Sequence, residues 1–416
     1  MRFACRGSRA RLPADGRRLP QGVRRFRPAS TRRIIGRMPT ILLPGPDRRL
    51  LPCTPRLPVA MPERPPGPFG RRALVFAHRV ADPLAADDPS TGGGIDRDTS
   101  LALRHDLWRL GFGVVESGVE GAGLDDLRCT IEAARDHPGA DVVVGCGTGH
   151  LARGDRLTVS DVIDAYEARA EALEPLGARL LIEASRELAD CARSPDQYAL
   201  AYDRLLGQLR QPAILQWPAD ASDPELGGYW GEADPAAALD LVIGVVGRHA
   251  SRVDGIALSL PPPGLEQALR RRLPRGVAVY TGNETDFVDA LVGDGGTHSD
   301  ALLAVLGAIA PLASVALAAL GAGDVARCRS LLEPTLPLAR HLFSPPVAAA
   351  AAGLVFLAWL NGLQSAFVMP RGYRSARSLL HLAETFRLAA AAGVLRDPDL
   401  ACVRMRSLLA LHGIDG

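Results

Sequence analysis

From Arg72 onward, short β-branched or apolar runs alternate with longer helical patterns, and this alternation restricts the chain to very few architectures. The runs are Ala73–Ala77, Phe112–Glu116, Val142–Gly145, Arg179–Glu183, Ala213–Gln216, Val253–Leu258 and Val277–Tyr280, with a weaker stub near Gly296–Ser299. A strand followed each time by a helix forces parallel pairing, and eight such units close on themselves. The expectation is therefore an α/β chain built as a (β/α)8 TIM barrel. Helix entrances support it: Thr158 with Asp161, Ser194-Pro195 and Asp234-Pro235 each place a capping residue before a periodic segment. Gly177 and Gly207 fall near the matching ends.

Beyond about Pro311 the strand signals stop. Asp324–His341, Val347–Phe367, Ser375–Ala392 and Pro398–His412 read as helices, with Asp324 and Ser375 as caps. The expected organisation is a structureless Arg/Pro-rich segment over residues 1–70, a barrel over 71–320 and a carboxy-terminal helical extension over 321–416. The first segment is too broken in its apolar runs for a signal peptide, and the simplest reading is a start placed too early, with Met38 as the true one.

Charge divides the same way. Residues 1–38 hold 12 Arg and one acid, and the remainder holds 36 Arg against 45 acids, so the folded part is mildly acidic. That argues against a nucleic-acid-binding body. Seven scattered cysteines without CxxC spacing exclude a zinc ribbon or disulfide framework and point to a reducing cytoplasm. The uncharged stretches Ala301–Ala322 and Leu342–Pro370 are long enough to span a bilayer, but Pro311, Pro345, Pro346 and Asn361 favour buried helices over membrane spans.

All 48 basic residues are arginine; the chain has no lysine. No ε-amine exists to form an imine with a carbonyl substrate. The phrases HRVADPLA (His78–Ala85), LTVSDVIDAYEARAEALEPLGARLLI (Leu157–Ile182), SPDQYALAYDRLLGQLRQPAILQW (Ser194–Trp217), GGYWG (Gly227–Gly231), VDGIALSL (Val253–Leu260), YTGNETDF (Tyr280–Phe287), GTHSDALL (Gly296–Leu303) and GLVFLAWLNG (Gly353–Gly362) resemble an uncharacterised bacterial branch of the dihydrodipicolinate synthase and N-acetylneuraminate lyase superfamily. The resemblance runs from Arg72 to the carboxy terminus. It implies a barrel that binds a small oxo or hydroxy acid or a sugar-derived molecule. The superfamily's glycine–isoleucine–lysine phrase on the sixth barrel strand reads Gly255-Ile256-Ala257 here, and Gln216 stands near the place of its proton-relaying tyrosine. The late helix opens with the apolar run Val347–Ala352.

Since the active sites of such barrels gather at the carboxy-terminal strand ends, the candidates follow from the runs. Glu183, Glu116 and His298 are the expected acid–base residues. His78, Asp82, Gln216, Trp217, Tyr280, Asn283, Glu284 and Ser299 are the expected substrate contacts. His78, Glu116, Glu183 and His298 together also suit a divalent metal. Gly293–Ser299 has the glycines of an anion cradle, whereas Gly145–His150 fits no nucleotide motif and reads as a tight turn with a buried Cys146. Trp217, Tyr229 and Trp230 read equally as a lid or as packing, and Arg371, Arg374 and Arg377 as a solvated face. The reading is an acid–base lyase, hydratase or isomerase. Its rival is a catalytically degenerate binding or assembly partner of a paralogue, motivated by Ala257 and the apolar run; a homo-oligomer is expected in either case.

Overall fold

The computed structural model describes residues 38–60, 67–85, 94–117, 123–152, 154, 156–218 and 223–414. Two short strands come first, β1 (Ile41–Pro44) and β2 (Leu50–Cys53), paired antiparallel. The barrel strands are β3 (Ala73–Phe76), β4 (Gly113–Glu116), β5 (Val142–Cys146), β6 (Arg179–Ile182), β7 (Ala213–Pro218), β8 (Val253–Ser259), β9 (Ala278–Gly282) and β10 (Asp300–Leu302). They close in the order β10-β3-β4-β5-β6-β7-β8-β9, every pair parallel. The expected TIM barrel is therefore present.

Alternation along each strand separates two cores. Leu74, Val115, Val143, Leu181, Ile214, Ala257, Tyr280 and Leu302, one from each strand, meet inside the barrel. Their neighbours, among them Val75, Val114, Val144, Ile182 and Leu215, point outward and pack under the helices. Burying each such outward Val or Leu stabilises the fold by about 1.5–3 kcal/mol, so the helical coat and the wall of strands depend on each other.

The helix entrances behave as their residues dictate. Thr158 and Asp161 form a reciprocal capping box before Val159–Leu173, and Asp234 accepts from the Ala236 N–H before Pro235–Arg248. Gly177 ends its turn in the left-handed region at φ 86°, which a side chain would oppose. Gly207 likewise lies near the end of its helix, as the penultimate residue of Pro195–Gln208.

Three expectations are corrected. The eighth strand is Asp300–Leu302 rather than Gly296–Ser299, because three residues give too short an alternation to be read. The segment up to Phe69 is not wholly structureless: Ile41 and Leu43 are buried, and the Arg56 N–H donates to the Ala390 carbonyl, so the β1–β2 ribbon is held against the last helices. Residues 1–37 lie outside the described residues. The last long helical pair is Leu379–Ala392, capped by Ser378 instead of Ser375, and Pro398–Leu411.

The remaining extension comprises Ala310–Gly321, Val325–Leu332, Leu336–Leu342 and Ala350–Leu360. Among the described residues no single helix is long and apolar enough to cross a membrane; Val325–Leu342 and Val347–Leu360 pass only as a pair, bent by 114°. Arg377 is buried rather than solvated, because it donates to the carbonyls of Leu342, Ser344, Pro345 and Pro346 and so fastens the corner between these helices.

An ionic layer closes the amino-terminal end of the barrel. Arg72 donates to Asp254 at 2.7 Å and to the Tyr280 hydroxyl at 2.9 Å, and that hydroxyl donates to Asp254 at 2.5 Å. Arg179 lies 3.2 Å from Asp254 and 3.4 Å from Asp141. Burial would raise the Asp254 carboxyl, but hydrogen bonds from Tyr280 and Arg72 and the charges of Arg179 and Arg72 hold it below the ordinary range.

Candidate active site

Leu181 faces the barrel interior, so Glu183, two residues on, emerges on the same side at the opposite, carboxy-terminal mouth. The backbone around it is fixed by side chains from three directions. Tyr166 donates its hydroxyl to the Glu183 carbonyl, the Ala184 N–H donates to Gln216 Oε1 at 3.1 Å, and the Ser185 N–H donates to the Tyr229 hydroxyl at 3.1 Å. The carboxylate lies over two glycines: a Cβ on Gly145 would come within 2.3 Å of Glu183 Oε1, and one on Gly147 within 2.5 Å of Oε2. The Gly145-Cys146-Gly147 phrase is thus a flat floor for an acid. Cys146, between them, points away into the helical layer, where burial pushes its thiol up to about 12, and His150 is exposed. Beside this floor the buried Thr148 and Ser185 hydroxyls lie 2.6 Å apart and both donate to Glu187.

Several expected site residues are engaged elsewhere. Glu116 alternates outward from Val115 and forms a buried ion pair with Arg104, whose Nη2 is 2.8 Å from Glu116 Oε2. It fastens helix Arg97–Arg109 to β4 and does not face the mouth. The Tyr280 hydroxyl belongs to the ionic layer at the other end. Because β10 begins at Asp300, the Gly293–Ser299 loop enters that strand instead of leaving it, so the cradle, His298 and Ser299 sit on the amino-terminal side. His298 is exposed at the surface there, and partial desolvation of its ring, followed by the Arg71 charge, lowers its pKa. Ser299 donates to Glu266. The metal constellation is thereby separated, and among the described residues no three His, Cys, Asp or Glu side chains are placed to hold an ion.

The aromatic trio is packing, not a lid. Trp217 and Trp230 rings are 6.2 Å apart, Tyr229 and Trp230 rings 5.6 Å, and all three are buried. Asp82 closes a turn by accepting from the Leu84 N–H at 2.9 Å, and Asn283 does the same for Thr285. Glu284 accepts from the N–H groups of Ala304 at 2.6 Å and Val305 at 2.9 Å. Burial nevertheless pushes its carboxyl up to about 7. It ties the loop after β9 to the loop after β10.

His78 stands at the end of β3 beside a cavity of about 420 Å³, walled by the β3 exit, helix Val305–Ala308 and the extension helix Ala350–Leu360. The Val347–Ala352 run, polar-free in sequence, supplies four of its lining residues, Val347, Ala348, Ala350 and Ala351. His78 Nε2 lies 3.1 Å from Gln364 Oε1, and burial lowers its pKa to about 4. The ring is therefore neutral near pH 7. Reading the sequence missed Arg79, Ser117 and Gln364, which also line this cavity. In a chain whose every cation is arginine, a single Arg carried no signal, and Gln364 arrives from a segment distant in sequence.

This barrel, with its helical extension and open carboxy-terminal mouth, has the fold of the dihydrodipicolinate synthase and N-acetylneuraminate lyase structures. Dihydrodipicolinate synthase from Thermotoga maritima matches at 15% identity and TM-score 0.55, covering 79% of this chain and 99% of that one. The Acinetobacter baumannii enzyme, chloride-inhibited and complexed with pyruvate, matches at 16% identity and TM-score 0.54, over 79% and 100%. N-acetylneuraminate lyase from Mycoplasma synoviae gives 12% identity, TM-score 0.52, and coverage of 78% and 98%. A comparison with curated proteins gives no match. The chain belongs to the family described as Protein of unknown function (DUF993), which matches it over residues 41–414.

Proposed function

We propose that this barrel binds a small oxo or hydroxy acid, or a related sugar-derived acid, at its carboxy-terminal mouth. On this reading it acts as a lyase, hydratase or isomerase, with Glu183 moving the proton. The observation that carries the proposal is the seat of Glu183: two glycines clear space for its carboxylate, and three side chains fix the backbone that bears it. Such preorganisation is what a proton-transfer group needs and what a surface carboxylate lacks. An imine through a lysine side chain is excluded, because no lysine is present and Ala257 is buried in the barrel's apolar ring.

The test is exchange of carbon-bound hydrogen in D2O, followed by proton NMR over a panel of 2-oxo, 2-hydroxy and sugar acids. Exchange or turnover lost in Glu183→Gln supports the proposal. Undiminished turnover in that variant, or a borohydride-trapped adduct on the folded chain away from its N-terminal amine, refutes it. The buried Ala257 also favours a second reading, a binding protein without turnover. That reading gains if an acid raises the melting temperature and no atom of it exchanges.

A further inference from the structure

Arg79 is the sole charged side chain among the residues that line the cavity beside His78, and no Asp or Glu is among them. It has no hydrogen-bond or ion-pair partner among the described residues. Its neighbour Arg104, by contrast, is fully committed to Glu116 and to the Ser100 carbonyl. A half-buried guanidinium with five donors and no acceptor invites a planar anion.

The imidazole adds a second requirement. Gln364 donates its amide N–H to the Ala366 carbonyl at 2.7 Å, which turns its Oε1 toward His78 Nε2. The His78 Nε2 must then carry the proton, so Nδ1 is a lone-pair acceptor, and it has no partner among the described residues. Such an atom receives a hydroxyl and cannot receive a ketone oxygen. The rest of the wall is almost wholly apolar: Leu103, Leu107, Phe343, Leu354, Val355 and Val368. At roughly 30 Å³ per water the cavity has room for about 14 waters, enough for a carboxylate carrying a medium-length hydrocarbon chain.

From these features we infer that the cavity between the β3 exit and the extension helices binds a hydroxy monocarboxylate with an aliphatic body. Arg79 grips the carboxylate, His78 Nδ1 accepts the hydroxyl, and the apolar wall takes the chain. The inference rests on the reading of the protein as acid-binding and narrows its ligand to one charge, one hydroxyl and a hydrocarbon tail.

Titration calorimetry at pH 7 on the full chain tests it with three probes: 2-hydroxyoctanoate, octanoate and 1,2-octanediol. The expected order is 2-hydroxyoctanoate tightest, octanoate several-fold weaker, and the diol weakest. Arg79→Ala should weaken both acids by at least about tenfold, the scale of a charge-assisted hydrogen bond, and leave the diol unchanged. Ala308→Phe, which fills the cavity from helix Val305–Ala308, should remove binding of all three; Ala351→Phe serves if that variant does not fold. Equal affinity of the three probes, indifference to Arg79→Ala, or binding that persists in a folded cavity-filled variant overturns the inference. Glu183→Gln separates it from the proposed reaction: binding kept with turnover lost supports both. Acid binding that depends on Glu183 but not on Arg79 sinks the cavity assignment alone.

Discussion

Replacing Arg104 with Met tests whether Glu116 is a structural or a chemical residue. The two side chains are 3% and 4% exposed, joined by two hydrogen bonds, and hold helix Arg97–Arg109 to the end of β4. Arg104→Met preserves much of the packing volume and leaves the Glu116 carboxylate buried without its cation, a loss on the order of 3–5 kcal/mol. Against a urea slope of about 3 kcal/mol per molar, the unfolding midpoint should fall by roughly 1–1.7 M. Removing both charges in Arg104→Met with Glu116→Leu should recover most of that, because the penalty belongs to the stranded ion and not to the pair. Far-ultraviolet circular dichroism across a urea series reads all three variants, with unchanged slope as the control. A midpoint shift under about 0.3 M for Arg104→Met would refute the structural assignment, being about 1 kcal/mol at that slope. So would Glu116→Gln that abolishes turnover at undiminished stability.

Tyr280→Phe should cost about 1.5–3 kcal/mol by removing a hydroxyl bonded to Asp254 and Arg72, with acid affinity unchanged; lost affinity at full stability would put Tyr280 back at the mouth. Glu284, raised by burial from 4.5 to about 7, keeps its proton in the folded chain after the unfolded chain has released it. Its contribution is therefore complete below pH 4.5 and disappears as pH rises through 7, a change on the order of 3 kcal/mol. Urea midpoints at pH 5 and pH 8 should converge in Glu284→Gln, and parallel profiles for variant and parent would refute this. Gly145→Ala puts a methyl 2.3 Å from Glu183 Oε1, so the carboxylate must leave its floor. Proton exchange should collapse with a stability loss of about 1–3 kcal/mol, and full exchange in this variant would show that the seat is irrelevant.

The barrel was legible because seven of its strands carry runs whose period and flanking turns agree with the helices between them. The eighth was misplaced by a few residues, and that small error moved His298, Ser299 and the glycine loop to the wrong end of the barrel. The position of Glu183 at the carboxy-terminal end of β6 was legible from the run that precedes it. Glu116, one position out of phase with the inward Val115, shows that the last residue of a run can belong to either face. Tyr280 failed for a different reason: a long side chain reaches several ångströms from its Cα, and its hydroxyl followed the charges of Arg72 and Asp254. The cavity was invisible because it joins the β3 exit to helices more than two hundred residues later. Local periodicity carries no information about such a junction. The β1–β2 ribbon was hidden inside a Pro- and Arg-rich composition that normally signals the lack of a core.

Between the charged layer under the Tyr280 ring and Glu183 lies the packed apolar ring of the barrel interior, which offers no way through. Arg72, Arg179, Asp141 and Asp254 stopper one end, so whatever reaches Glu183 has to enter and depart by the same doorway. On the reading proposed above, a substrate and its product share that single passage.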